Sequence, residues 1–164
     1  MFKYYYKTPD NFSNLVMISD GTYLTGLWFD KLNDELKNYK EKLLPVFEDT
    51  IEWLDIYFSG KVPNFNPSYK LENITDFQKE VIKHMLQIPF GTKNTYGEIA
   101  KKIASERKTG KMSSQAVGHA ASKNPICIII PCHRVLGQDN KIIGYSGGIN
   151  NKIALLKHEG IILN

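Results

Sequence analysis

A connector with two prolines divides this 164-residue chain into two parts whose hydrophobic patterns differ. Residues 61–69 show neither helical nor alternating spacing, which predicts an extended segment. Short apolar clusters separated by turn residues precede it, whereas apolar residues at helical spacing follow it. We therefore expect an α+β chain of two domains, with residues 1–62 as the first domain, 63–72 as a linker and 73–164 as the second domain.

The first part of the chain predicts a small antiparallel sheet covered by one helix. Clusters rich in aromatic and β-branched residues at 2–6, 15–19 and 23–29 are separated by turn signals, a pattern typical of a meander. Residues 46–58 have apolar side chains at helical spacing, and Gly60 follows as a helix terminator. We expect this helix to lie on the sheet.

The second part predicts three short helices followed by a buried strand. Thr75 is a predicted N-cap with Gln78 at the third helical position. The second helix follows Thr95, and the third begins at Ser113 or Ser114. A basic turn at 107–111 separates the last two helices, as in a helix-turn-helix, although helices that only pack together show the same pattern. The apolar run at 126–130 predicts the strand.

Charge is distributed unevenly along the chain. Residues 1–88 contain 13 acidic and 10 basic side chains, whereas residues 89–164 contain 4 acidic and 11 basic ones. A basic second part suits contact with a polyanion such as DNA. A solvated basic surface without a partner explains the same distribution equally well.

Composition argues against several other classes of protein. Two cysteines cannot make a disulfide scaffold, and the cysteines and histidines lack metal-ligand spacing, so we expect no metal. The longest apolar run is too short to span a bilayer, and the N-terminus lacks a secretory signal pattern. We therefore expect an intracellular protein with no membrane partner.

The residues after the apolar run carry the predicted chemistry. Proline favours the first turn of a helix, so Pro131 is expected to place Cys132 near unpaired backbone N–H groups that favour a thiolate. His133 is a candidate base, and Glu159 is a candidate carboxylate that orients it. An inert cysteine beside an ordinary buried polar pair is the alternative interpretation. Cys127, among isoleucines, predicts an inert core residue.

Three motifs together resemble one family of DNA-repair proteins. Residues 130–135 are Ile-Pro-Cys-His-Arg-Val, residues 144–148 are Gly-Tyr-Ser-Gly-Gly, and residues 158–160 are His-Glu-Gly. This combination is similar to the O6-alkylguanine-DNA alkyltransferase family, also called methylated-DNA–protein-cysteine methyltransferases. The resemblance is strong from residue 75 onward and extends to the first part in architecture only.

The resemblance implies a fold, a reaction and a partner. It implies a ribonuclease H-like first domain and a winged helix-turn-helix second domain that enters the minor groove of double-stranded DNA. A guanine with an O6-alkyl group is expected to be flipped out of the duplex and to pass that group irreversibly to the cysteine, once and without a cofactor. O4-alkylthymine is a further candidate substrate. We expect a monomer in the cytoplasm, or wherever the DNA lies in a nucleoid or nucleus.

The resemblance also implies roles for individual residues. The catalytic group has Cys132 as acceptor, His133 as a base acting through water, Glu159 as its orienting carboxylate and Asn124 as a hinge. The expected substrate-binding residues are Tyr96, Val135, Tyr145, Ser146 and Lys152. The expected DNA-binding residues are Ser114, Gln115, Ala116, Gly118, His119, Lys123 and Arg134.

Two positions depart from the family pattern. Gln115 stands where the family usually has an arginine that fills the space of the flipped base, and His119 stands where a small residue is usual. Glutamine keeps a hydrogen bond but lacks the charge and flat stacking face of guanidinium. The turn at 105–112 is longer than usual and adds residues expected to attract phosphate: Arg107, Lys108 and Lys111.

Alternative functions come from other classes of protein. A DNA-damage sensor on the same fold, with weak or no transfer because of Gln115, is the main alternative. A helix-turn-helix transcription regulator does not need the Cys-His-Glu set, and a cysteine hydrolase does not need a basic recognition helix. The mass of the protein after exposure to O6-methylguanine DNA distinguishes transfer from binding alone.

Overall fold

The computed structural model describes residues 1–30 and 34–163, which form two compact units. Unit 1 comprises Met1–Glu72 and Pro125–Ile129, and unit 2 comprises Asn73–Asn124 and Ile130–Asn164. The described residues contain five α-helices and two small sheets, which makes this a mixed α+β fold. The segment expected to link two domains is thus grouped with unit 1. The division into a supporting domain and a DNA-binding domain stays a prediction.

The sheet of unit 1 contains the predicted meander and one additional strand. The strands β1 (Phe2–Tyr6), β2 (Leu15–Ser19) and β3 (Leu24–Phe29) pair antiparallel in sequence order, so the predicted meander is confirmed. A short strand β4 (Lys40–Glu41) pairs in parallel with the outer edge of β1, so the sheet is mixed rather than purely antiparallel. Its two exposed, charged residues carry no strand pattern in the sequence.

Helix α1 (Pro45–Phe58) packs on this sheet through aromatic side chains. Proline is well tolerated at the first helical position, and Gly60, with φ of 90°, follows the last turn. The ring of Tyr4 stacks on Phe47, and the Tyr6 hydroxyl donates a 2.7 Å hydrogen bond to Asp55. Full burial of a side chain such as Phe47 contributes roughly 1.5–3 kcal/mol of hydrophobic stabilisation.

Unit 2 contains four helices and a two-stranded sheet. The helices are α2 (Asp76–Leu86), α3 (Tyr96–Glu106), α4 (Ser114–Ala121) and α5 (Ile149–His158). The predicted N-cap at Thr75 is confirmed, and the side chains of Thr95 and Ser113 likewise accept a backbone N–H at the starts of their helices. The strands β5 (Asn94–Thr95) and β6 (Val135–Leu136) pair in parallel. The ribonuclease H-like and winged helix-turn-helix descriptions remain predictions.

The predicted buried strand at 126–130 is wrong. All five residues are buried, but Ile126 forms only an isolated bridge with Leu27. The N–H of Ile129 donates to the Cys127 carbonyl over 2.8 Å, which closes a three-residue turn around Ile128 at φ 70°. A β-branched residue in this left-handed region is strained and persists only where the surrounding packing holds it. Burial alone therefore did not determine the backbone conformation.

A second tight turn leads directly to the cysteine of unit 2. Pro131 has φ of −83° and ψ of 62°, and the Cys132 N–H donates to the Ile130 carbonyl over 2.8 Å. These values match an inverse γ-turn. A single 3-10 turn, Cys132–Arg134, follows, so the predicted helical turn after Pro131 is confirmed. No helix in the described part of the chain is long and apolar enough to cross a membrane.

Candidate active site

A cleft of about 890 Å³ opens in unit 2. Its walls come from the first turns of α3, from one side of α4 and from the loop at 137–146. Cys132 lies at this cleft and is only 5% exposed. The cleft therefore gives a molecule of moderate size access to one otherwise buried thiol.

The Cys132 sulfur is held by an asparagine that follows α4. The side-chain amide of Asn124 donates a 3.2 Å hydrogen bond to Sγ and a 2.9 Å hydrogen bond to the Ile130 carbonyl. Asn124 is itself buried. Because a hydrogen bond donated to sulfur is stronger when the sulfur is charged, Asn124 favours the thiolate form.

His133, the residue that follows Cys132, forms a fully buried pair with Glu159. The Nε2–H of His133 donates to Oε2 of Glu159 over 2.5 Å, which leaves the lone pair of the neutral ring on Nδ1. This Nδ1 atom is buried without a hydrogen-bond partner among the described residues. Burial, together with the charges of Arg134 and Lys152, lowers the pKa of His133 although the Glu159 carboxylate opposes this shift. The imidazole is therefore neutral and has a basic nitrogen.

The Glu159 carboxylate is fixed by donors from two separate segments, His133–Arg134 and the backbone at Gly91. Arg134 donates from Nε to Oε1 over 2.8 Å and from Nη2 to Oε2 over 3.2 Å, and the Gly91 N–H donates to Oε1 over 3.0 Å. Burial alone raises the pKa of Glu159, but the hydrogen bonds and charges of His133 and Arg134 outweigh it and hold the pKa well below its usual range. Glu159 therefore stays ionised and orients the imidazole.

Lys152 is a fully buried cation that contacts three predicted substrate-binding residues. Its Nζ donates to the Val135 carbonyl over 2.8 Å and to the Tyr96 hydroxyl over 3.4 Å. It also lies 5.7 Å from the ring centre of Tyr96 and 5.9 Å from that of Tyr145. Burial lowers the pKa of Lys152 to about 8, although the charge of Cys132 opposes this shift. The ammonium in turn stabilises the thiolate.

Comparisons with known proteins identify the family. The family model described as 6-O-methylguanine DNA methyltransferase, DNA binding domain, matches residues 76–161. A methylated-DNA–protein-cysteine methyltransferase of Mycobacterium tuberculosis is 37% identical over 157 residues, which cover 94% of this chain and 92% of the relative. The chain belongs to the methylated-DNA–protein-cysteine methyltransferase family. The predicted resemblance is thus confirmed.

Two further matches extend the assignment to this family. A methylated-DNA–protein-cysteine methyltransferase of Methanosarcina barkeri is 46% identical over 113 residues, covering 69% of this chain and 68% of the relative. The crystal structure of Mycobacterium tuberculosis OGT in complex with DNA superposes with a TM-score of 0.81 at 36% identity, covering 97% of this chain and 92% of that one. The similarity therefore includes both the sequence and the fold.

Most residues that family resemblance singles out lie at the cleft or are bonded to residues there. Those that line it are Cys132, Tyr96, Tyr145, Ser146, Ser114, Gln115, Gly118 and His119. A second group lies behind the cleft and forms hydrogen bonds to Cys132, to residues next to it or within the group. This group consists of Asn124, His133, Glu159, Arg134, Val135 and Lys152. Ala116 and Lys123 are on or just after α4 but do not line the cleft.

Two arginines differ from their expected roles in DNA binding. Arg134 is only 9% exposed, and its remaining donor, Nη1, bonds to the Ile88 carbonyl over 2.7 Å. Its guanidinium is therefore used to position Glu159, and the geometry does not support a contact with DNA. Arg107 forms an ion pair with Glu80 rather than presenting an unpaired charge.

The cleft also contains charged residues that sequence reasoning missed. Glu98 and Lys101 on α3 and Asp139 in the loop all line it. Lys101 lies one helical turn after Gly97, which also lines the cleft, but Gly97 was not itself a predicted site residue, so no spacing in the sequence indicated Lys101. Among residues 1–30 and 34–163, no group of three or more His, Cys, Asp or Glu side chains is placed to hold a metal ion.

Proposed function

We propose that the protein repairs DNA by transferring an alkyl group from O6 of guanine to Sγ of Cys132, once per molecule. The observation that carries this proposal is the arrangement of side chains around the Cys132 sulfur. A cleft-facing cysteine accepts a hydrogen bond from Asn124 and is followed in the chain by a buried His133–Glu159 pair. Membership of the methyltransferase family supports the same reaction.

The proposed reaction is an in-line displacement at the alkyl carbon. The thiol proton passes through a water molecule to Nδ1 of His133, which is buried and has no hydrogen-bond partner in the described structure. The thiolate electron pair forms the S–C bond as the C–O6 bond breaks, and the electron pair of that bond stays on the guanine oxygen. The guanine then takes up one proton, which His133 returns through water, so that the imidazole becomes neutral again. No cofactor is needed, because the thiolate is itself the acceptor. Because the thioether offers no route back, each molecule reacts once.

The tyrosine and lysine beside the sulfur support this chemistry. Burial raises the pKa of Tyr96 to about 12, with a further contribution from the Cys132 charge, so its hydroxyl stays protonated and can donate to the base. Lys152 contacts this hydroxyl and the Tyr145 ring, and its charge favours the thiolate. We assign Tyr145 and Ser146, which line the cleft, to contacts near O6.

The alkylated guanine must leave the duplex to reach the sulfur. A stacked and paired base cannot be attacked at O6, so we infer that the nucleotide is flipped into the cleft. We assign α4 to the minor groove, because Ser114, Gln115 and His119 line the cleft from that helix. A related structure in complex with DNA supports DNA binding by this chain, and the groove follows from the family resemblance. O4-alkylthymine is proposed as a second substrate, and the acting species as a monomer in the compartment that holds the DNA.

Intact-mass measurement with duplex O6-methylguanine tests the proposal. The wild-type protein should gain one methyl group per molecule, and Cys132→Ser should gain none. Cys127→Ser is the matched control, because Cys127 is an equally buried thiol that does not line the cleft. Binding of the duplex without any gain in mass would overturn the proposal and favour a damage sensor.

A further inference from the structure

We propose that Lys101 binds a backbone phosphate of duplex DNA and so supplies, from α3, the positive charge that Gln115 does not supply from α4. This inference rests on the proposed function, since it concerns how the same cleft receives its DNA. It names a DNA-binding residue that neither the motifs nor the charge pattern of the sequence had indicated.

The first argument is that the buried cations behind the cleft are already bonded within the protein, whereas Lys108, Lys111 and Lys123 do not line the cleft. Arg134 and Lys152 are buried and bonded to Glu159 and to the Val135 carbonyl respectively. Arg107 is paired with Glu80 outside the cleft. Lys101, by contrast, is exposed, lines the cleft and has no hydrogen bond or ion pair to its ammonium among the described residues.

The second argument is the charge of the cleft itself. Among the described lining residues, the formally charged side chains are Lys101 and two carboxylates, Glu98 and Asp139. Carboxylates repel phosphate, and without Lys101 the lining would carry only negative charge. Lys101 is the lining side chain that offsets these carboxylates for an approaching polyanion, while the basic residues elsewhere in the second part of the chain attract DNA at longer range.

The third argument is position. Lys101 lies on α3 one helical turn beyond Gly97, next to the tyrosine that we assign to the flipped nucleotide. The ring of Tyr96 faces Gly118 of α4, where an added Cβ would lie 3.7 Å from the ring. The two helices therefore approach closely here, and Lys101 faces the same cleft as Gln115. A phosphate beside the flipped nucleotide would lie between these two walls.

The salt dependence of duplex binding tests this proposal. Each phosphate contact contributes about 0.9 to the slope of log K against log salt concentration. Lys101→Gln should lower the slope by about that amount and weaken binding, whereas Lys101→Arg should keep the wild-type slope. Lys102→Gln is the matched control, because Lys102 is the next residue of α3 and is equally exposed but does not line the cleft. The rate with duplex substrate, relative to that with free O6-benzylguanine, should fall only in Lys101→Gln.

Two results would overturn the proposal. One is a wild-type slope in Lys101→Gln, and the other is an equal loss of slope in Lys102→Gln. Thermal melting of each variant identifies any loss of folding, and retention of the slope by Lys101→Arg shows that charge rather than shape matters. Failure of the proposed function would appear differently, as wild-type protein that binds the duplex but gains no methyl group.

Discussion

Replacing Glu159 by glutamine should destabilise the protein strongly at neutral pH. The substitution keeps the shape of the side chain but removes the charge that accepts hydrogen bonds from His133, Arg134 and Gly91. Arg134 then remains as a buried cation whose carboxylate partner has been lost. Breaking a buried ion pair by removing one partner costs about 3–5 kcal/mol, so the free energy of unfolding should fall by about that amount.

The size of this loss should depend on pH with a definite sign. The hydrogen bonds from His133 and Arg134 hold the pKa of Glu159 well below its ordinary value of 4.5. Stability from the ionised carboxylate is therefore fully present above about pH 4.5 and is lost as the pH falls toward the folded-state pKa. The loss is about 1.4 kcal/mol per pH unit. The wild type and Glu159→Gln should therefore converge in acid.

The assay is urea denaturation of both proteins from neutral pH into acid. A second histidine–carboxylate pair provides the control. His84 contacts Glu106 over 3.2 Å, but the Glu106 side chain is 50% exposed. Exposed pairs contribute about 0–1 kcal/mol, so Glu106→Gln should change little. The reasoning is refuted if Glu159→Gln loses no more stability than Glu106→Gln, or if its deficit persists unchanged into strong acid.

Two further predictions concern DNA opening and the charge beside the sulfur. Gln115→Arg should raise the transfer rate with duplex O6-methylguanine relative to the rate with free O6-benzylguanine. Only in the duplex does flipping leave a gap in the base stack, which the arginine side chain can fill. Equal acceleration on both substrates, measured by single-turnover kinetics, would show that residue 115 shapes the pocket instead. The transfer rate of the wild type should decline above about pH 8, where Lys152 loses its proton. Lys152→Met should be slower at neutral pH and lack this decline, and an identical pH profile in both proteins would contradict the assigned role.

Local signals in the sequence predicted the helices of unit 2 well. Thr75 and Gln78 form the complete capping box expected from their spacing, with each side chain bonded to the other's backbone N–H. Capping and helical periodicity depend on neighbours within one turn, so they can be recognised without knowledge of the tertiary fold. The polar strand β4 lacks any such local signal and was missed.

The apolar run at 126–130 shows where local signals fail. Its hydrophobicity correctly predicted burial, but a buried run is compatible with a strand, a helix or tight turns. The positive φ of Ile128 is unfavourable for a β-branched residue and is imposed by its surroundings. No propensity of the isolated segment could have predicted it.

The candidate site could be predicted in part, for a similar reason. Motif resemblance singled out Cys132, His133 and Glu159, and the structure brings the last two into direct contact. The partners of Arg134 depend on the tertiary fold, because its carboxylate acceptor lies 25 residues away in the sequence. Its assignment to DNA came from the family resemblance, with which its positive charge is consistent. Sequence charge does not distinguish a buried, paired arginine from one that is exposed to DNA.

The position of the transferred group tests the central claim most directly. The wild-type protein is incubated with duplex DNA that contains one O6-methylguanine, digested, and mapped by peptide mass spectrometry. The account predicts one methyl group per molecule, carried by the sulfur of Cys132, together with an unmodified Cys127. Methylation of Cys127 instead, or bound duplex with no methylated peptide, would contradict it.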